Sequence, residues 1–378
     1  MPSAHVMNSM MKNNLNGDTL KTKRHFEVLD GLRGVAALAV VIFHFMEWVF
    51  TDFSKNFIAH GFLAVDFFFC LSGFVIGYAY DDRMPRLGAK AFFTSRLIRL
   101  HPLVILGSLL GFLAFLFDPF LSPPASYSTG TLLLLLLGSL FLIPLPLMEE
   151  RAFNLFAFNA PSWSLFWEYV VNLLYALILF RIGRRSLVLL TAGAALMLGF
   201  VSYRSGNLLG GWNGASFWDG GARVAYSFSA GLLIYRSNWI IKNKLGFAGI
   251  AFLLSLAFLL PWTSWNWILE LAIVVIYFPM IVALGAGSDV TAGMKKLCTF
   301  SGNISYPLYT THYAAIWIFG NFFTITKPGM GQLTVVIISG VIFLVGFAYL
   351  AMAFYDVPLR QYLNRKRNAK DRIIHREQ

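Results

Sequence analysis

An arginine and a histidine, Arg33 and His44, stand eleven positions apart in an otherwise apolar block, FEVLDGLRGVAALAVVIFHFMEWVF. On an α-helix, eleven positions return to within about 20° of the starting direction and rise ~16 Å. The guanidinium and the imidazole therefore face one groove at different depths. A fixed cation stabilises developing negative charge and a titratable ring accepts a proton, so the pair suits acyl transfer. Each residue also has a plainer use. Asp30 and Arg33, at i and i+3, form an interfacial ion pair, and His44 serves as a hydrogen-bonded packing histidine. Glu27 and Glu47 complete the polar set of this block.

Further polar residues interrupt later apolar blocks. Ser72 lies at the middle of AVDFFFCLSGFVIGYAY, beside Gly73, with Asp66 toward the block's start. The glycine allows helices to approach closely, whereas Ser72 has no adjacent base and is not expected to act as a nucleophile. Arg96 and Arg99 share a helix face and suit a phosphate, although basic residues at the mouth of a span also serve as anchors. Glu168, at the end of WSLFWE, needs a buried cation or histidine as partner. Ser305, Tyr306, Tyr309, His312 and Tyr313 form a polar stripe, in which His312 reads first as a satisfied packing residue. Asp30, Asp66, Glu168, Tyr309 and His312 are thus candidates for supporting the chemistry or holding an acceptor. Cys70 falls in an apolar block and Cys298 in a loop, neither near a second metal ligand, so neither a disulfide nor a metal site is expected.

The elements that carry these residues must be membrane helices. Of 378 residues, 57% are hydrophobic and 13% charged, against about 25% charged in ordinary soluble domains. Only helices and closed barrels satisfy their backbone in lipid, and about 20 helical residues cross it. The expectation is an all-α polytopic protein with ten spans near 28–50, 60–80, 92–117, 162–181, 186–203, 220–236, 245–262, 265–286, 303–323 and 332–354. A polar segment, 1–25, precedes the membrane domain, 26–356, and a basic tail, 357–378, follows it. The opening residues do not resemble a secretory signal. Residues 131–147 are apolar but end at Pro144 and Pro146, and are expected to form a re-entrant or tilted helix. With that segment not crossing, most of the 30 Lys and Arg residues gather on one side, which the positive-inside rule makes cytoplasmic, with both termini there. The net charge of +12 is explained by this topology and does not call for nucleic acid.

Five blocks occur in one order: Arg33 with His44, FFFCLSGFVIGY, Arg96-x-x-Arg99, Trp163-Ser164-Leu165-x-x-Glu168, and Ile304-Ser305-Tyr306-Pro307-Leu308-Tyr309-x-x-His312. The series resembles membrane acyltransferase family 3, from about Phe26 to Arg360. The resemblance implies a ten-span O-acyltransferase of bacterial surface and secreted carbohydrates in the inner membrane. It makes Arg33 and His44 essential and links Arg96 and Arg99 to acyl-CoA. Two departures stand out: Ala64 where glycine is usual, and Asp356-Val357-Pro358 where Glu-x-Pro is common. Some relatives carry a fused extracytoplasmic esterase-like domain; with about 20 residues after the last span, any later handling of the acyl group is expected to need another protein.

The expected reaction moves an acyl group, acetyl first, from cytoplasmic acyl-CoA to a hydroxyl of a surface, secreted or lipid-linked carbohydrate. Arg96 and Arg99, with Ser72 beside the donor, hold the diphosphate end; the pantetheine arm runs past Arg33 to His44, the general base. An acyl-histidine intermediate is a variant of the same scheme. Partners are the lipid bilayer and the glycan acceptor, with a homodimer left open. Trp212, Trp218, Trp262, Trp265 and Trp267 suit either sugar stacking or interfacial anchoring. A proton-coupled transporter or flippase is the competing class, since intramembrane acids and histidines also mark proton paths. The chain lacks the repeated halves of many transporters. A non-catalytic subunit of a polysaccharide assembly complex is a third class.

Overall fold

The computed structural model describes residues 25–121 and 127–374; the segment through Arg24 lies outside them. The described chain is helical, in the order α1 Glu27–Val49, α2 Ala64–Tyr80, α3 Met84–Leu116, α4 Thr129–Phe141, α5 Ser162–Leu174, α6 Arg184–Ser205, α7 Phe217–Arg236, α8 Gly246–Leu259, α9 Asn266–Ala272, α10 Phe278–Gly287, α11 Ala292–Thr311, α12 Tyr313–Thr326, α13 Met330–Leu350 and α14 Val357–Ile374. Seven of these helical stretches are long and apolar enough to cross a membrane, and α4, α8 and α12 are shorter apolar helices. The ten expected blocks all coincide with helix. The block at 303–323 is shared between α11 and α12, which break at His312, and α7 carries Asp219, Arg223 and Arg236.

Three π-helical turns extend or join these helices: Tyr175–Leu179 after α5, Ile273–Tyr277 between α9 and α10, and Ala351–Asp356 between α13 and α14. Gly88, at φ 74°, divides the 33 residues of α3 into two helices. An L side chain is rarely accommodated there, which is why glycine turns the chain. Cys298 sits inside α11 and is fully buried, not in a loop as its polar neighbours suggested; the run MKKLCTFSGN is the first half of a helix whose basic face is exposed.

The bundle is turned outward in its apolar surface. Leu196 on α6 is 78% exposed and Phe354 after α13 is 79% exposed, as lipid-facing residues are. Inside, α2 packs on α7 and α1 on α11. A Cβ on Gly73 would lie 2.0 Å from the Phe228 carbonyl oxygen, and one on Gly231 1.8 Å from that of Cys70. These two glycines are what let α2 and α7 touch backbone to backbone.

The same helix pair is fastened by charge. Asp66 is fully buried and receives the Arg223 guanidinium, Nη2 to Oδ2 at 2.6 Å and Nε to Oδ1 at 3.1 Å. Arg223 also donates to the carbonyls of Phe62 and Gly210 and lies 5.0 Å over the Trp163 ring. Arg236, at the end of α7, clasps Asp81 and donates to the carbonyls of Leu179 and Ile182. His60 and Glu270, both fully buried, pair at 3.2 Å. Removing one member of such a pair strands the other charge in a dry site, a loss of about 3 to 5 kcal/mol. Asp66→Ala is therefore expected to lower the melting temperature of the detergent-solubilised protein sharply. Asp66→Leu combined with Arg223→Met is expected to recover much of that loss, measured by thermal shift on size-exclusion chromatography.

Candidate active site

Five helices leave a cavity between them with about 850 Å³ of empty volume, counted out to its open mouth. Its polar wall is built from Arg33 of α1, Ser72 of α2, Arg96 and Arg99 of α3, Ser164 and Glu168 of α5, and Ser305, Tyr306 and Tyr309 of α11. Phe68, Phe69 and Leu165 supply apolar surface. Four of the five sequence blocks singled out above thus meet a fifth, the span-one arginine, around one space.

Glu168 is the centre of this wall. Its Oε1 accepts from Arg96 Nη2 at 3.0 Å, from Ser72 Oγ at 2.7 Å and from Asn172 Nδ2 at 3.1 Å. Spacing explains part of this: Asn172 stands one turn beyond Glu168 on α5, where its amide also meets the Glu168 carbonyl. Ser72 is thereby a donor to a carboxylate whose charge is already shared with Arg96 and Asn172, which weakens it as a base toward the serine. Arg33 reaches Asp30 only at 3.4 Å, and Asp30 also lies 3.0 Å from His25. Arg99 makes no ion pair or hydrogen bond among the described residues and presents its surface to the open cavity. Three guanidiniums therefore face the cavity while one, Arg96, is closely neutralised within it. Such a space favours an anion, above all a phosphate.

His44 is not in the wall of this cavity. The cavity closes at Tyr309, whose hydroxyl shares a 2.6 Å hydrogen bond with Ser164 Oγ. One turn on, His312 lies with its ring 6.1 Å from that of Tyr309, and the His44 ring stacks on His312 at 5.3 Å. Arg33 and His44 do share a helix face, as their spacing requires, but the stripe from α11 stands between the cavity's end and the imidazole. His312 is fully buried and its Nδ1 donates to the Leu308 carbonyl at 3.0 Å, which leaves Nε2 as an acceptor with no partner among the described residues. It is a packing histidine on one nitrogen and an open acceptor on the other.

His44 itself is 19% exposed at its side chain, and its Nδ1 lies 2.7 Å from Glu47 Oε1. A carboxylate on Nδ1 fixes the tautomer and frees Nε2 to take a proton, the arrangement by which histidine bases are oriented. Tyr313 packs edge-on against His44 at 4.8 Å. Glu47 entered the sequence reading as one polar residue among five; its place three positions after His44 was the signal for its role. Asp66, by contrast, is taken up by Arg223, 157 positions away, and lies outside the cavity.

A bundle of this kind offers a basic cavity close to an imidazole that a carboxylate orients. Transfer of an activated acyl group inside a membrane calls for those two features, and the class so defined is that of integral membrane acyltransferases. The family model described as an acyltransferase domain matches residues 26–353, and the chain belongs to that family. Membership implies an acyl-CoA-type donor. "Protein 2 in picA locus" of Rhizobium radiobacter is 35% identical over 182 residues, 46% of this chain and 92% of that protein. "Putative O-acetyltransferase SACOL0978" of Staphylococcus aureus (strain COL) is 38% identical over 89 residues, 22% of this chain but 13% of that protein. A counterpart in strain MSSA476 matches to the same extent. No solved structure matches the chain. Apolar helices of membrane-crossing length and bacterial relatives place the protein in the bacterial cytoplasmic (inner) membrane.

Glu47→Gln keeps the size of the side chain but removes the charge that orients His44. It is expected to lower kcat by about tenfold or more with little change in KM for the donor. Glu168→Gln, which releases Arg96 and Ser72, is expected to raise the donor KM as well, as measured by release of free CoA thiol.

Proposed function

We propose that the protein transfers an acetyl group from cytoplasmic acetyl-CoA to a hydroxyl of a surface, secreted or lipid-linked carbohydrate, with His44 as general base. The observation that carries this reading is the cavity of Arg33, Arg96 and Arg99 leading through Tyr309 and His312 to an imidazole held by Glu47. Arg96 and Arg99 grip the diphosphate, and the pantetheine arm extends along the apolar wall of α2 past Arg33. His44 Nε2 takes the proton of the acceptor hydroxyl as its oxygen attacks the thioester carbon. The new C–O bond forms, the C–S bond breaks, and the departing thiolate takes the proton back from the His44 imidazolium, which restores the base. Arg33, ~16 Å from His44 along α1 and turned toward Asp30, orients the donor's arm. For the thioester to meet His44, the Tyr309–Ser164 hydrogen bond must part, which makes Tyr309 the gate between donor and acceptor. The names of the Staphylococcus aureus relatives support an O-acetyl product.

In this reading both termini face the cytoplasm, where the basic residues collect. The 13 residues of α4 are read as a helix that enters without crossing, because that map keeps the basic loops on one side.

His44→Ala in protein that still inserts and melts normally is expected to abolish acceptor-dependent CoA release from acetyl-CoA in proteoliposomes. It is also expected to remove a 42 Da acetyl increment, the mass of C2H2O by its formula, from surface glycans examined by mass spectrometry. Normal turnover in that variant would refute the assignment of the base.

A further inference from the structure

The helix that follows the last apolar one, α14, takes no part in the scheme above. Arg365 and Lys366 on it are exposed, as a face resting on lipid headgroups would be. Arg360 and Arg367 are placed differently. The Tyr355 hydroxyl donates to the Pro102 carbonyl at 3.1 Å, and Arg367 Nη1 donates to Ser95 Oγ at 2.7 Å. These two contacts lay the end of the chain antiparallel along α3, with Arg99 between the two points of attachment. At 100° per residue, Ser95, Arg99 and Pro102 fall within a sector of about 60°, and Arg360 and Arg367 within about 20°. Arg99 and Arg360 thus look toward each other across the helix contact.

The charges there do not balance. Arg33, Arg99 and Arg360 act on one another electrostatically. Asp356, buried and 2.7 Å from Arg360, is the carboxylate whose charge reaches both Arg360 and Arg99. Its other oxygen has no hydrogen-bond partner among the described residues. Asp30 stands by Arg33, Glu168 by Arg96 and Asp356 by Arg360, which leaves Arg99 and Arg367 without a carboxylate of their own among the described residues, and like charges held together repel unless an anion joins them.

We propose that α14 is the phosphate-binding wall of the donor site, in which Arg360 and Arg367 act with Arg99 on the phosphate groups at the nucleotide end of the thioester carrier. The proposal rests on the acyl-CoA reading above. Asp356 is then a positioning residue that holds Arg360 toward Arg99. An anionic lipid headgroup offers the same phosphate chemistry, so the test must separate the two sources.

The full-length protein is placed in nanodiscs of phosphatidylcholine, with or without phosphatidylglycerol. Binding of CoA is compared with that of pantetheine, which has the same arm but no phosphate. The wild type is expected to prefer CoA in phosphatidylcholine alone. Arg367→Ala and Arg360→Gln, each checked for an unchanged melting temperature, are expected to weaken CoA binding by about tenfold or more, the size of a lost charge-assisted hydrogen bond. Arg367→Lys should recover part of the loss. Equal wild-type affinity for CoA and pantetheine would overturn the proposal, as would variants that bind CoA normally while retaining less phosphatidylglycerol. A wild type that bound no CoA would remove the donor reading and this proposal together; normal CoA binding by folded variants would remove this proposal alone.

Discussion

The arrangement of the site depends on one buried contact, the carboxylate of Glu168 against the guanidinium of Arg96. Neither charge is tolerable alone at membrane depth, and together they need the remaining lone pairs filled. Ser72 and Asn172 donate to the same oxygen, Oε1, that takes the Arg96 bond. Because these four side chains come from α2, α3 and α5, satisfying one carboxylate fixes three helices around the cavity. Arg96 is thereby held in place, while Arg33 and Arg99 keep enough free charge to receive an anion.

Elsewhere the protein uses buried ions as fasteners. Asp66 with Arg223 and Asp81 with Arg236 are satisfied within the protein, and they join helices that the glycines of α2 and α7 have already brought into backbone contact. His60 lies 3.2 Å from Glu270, yet neither of its ring nitrogens has a hydrogen-bond partner among the described residues. The Asp66 carboxylate meets a guanidinium that is itself shared with two carbonyls. His44 and His312 each give one nitrogen to a partner and keep the other. In a bundle where polar groups are expensive, unfilled nitrogens and unneutralised guanidiniums are the first candidates for binding a ligand or a proton.

His44 is separated from the basic cavity. Tyr309, hydrogen-bonded to Ser164, and His312, stacked on His44, lie between the cavity's polar wall and that imidazole. The break between α11 and α12 falls at His312, so the helix interruption and this separation coincide.

The sequence by itself determined the medium, the helices and the polar residues. Apolar blocks of spanning length leave helix as the one way to satisfy the backbone in lipid, and a helical period puts Arg33 and His44, or Arg96 and Arg99, on shared faces. Even the His44–Glu47 and Glu168–Asn172 contacts are local enough to be legible as i+3 and i+4 pairs. Only the tertiary structure decided which charges neutralise one another. Asp66 looked as available as Glu168 until Arg223 was brought to it. Cys298 read as a loop residue until its half of α11 was seen packed on α1. The end of the chain read as a tail until Arg367 was found on Ser95. The physical reason is range: a helix's own geometry acts over one or two turns, whereas a buried charge is paid off by whichever residue the packing of distant helices happens to deliver.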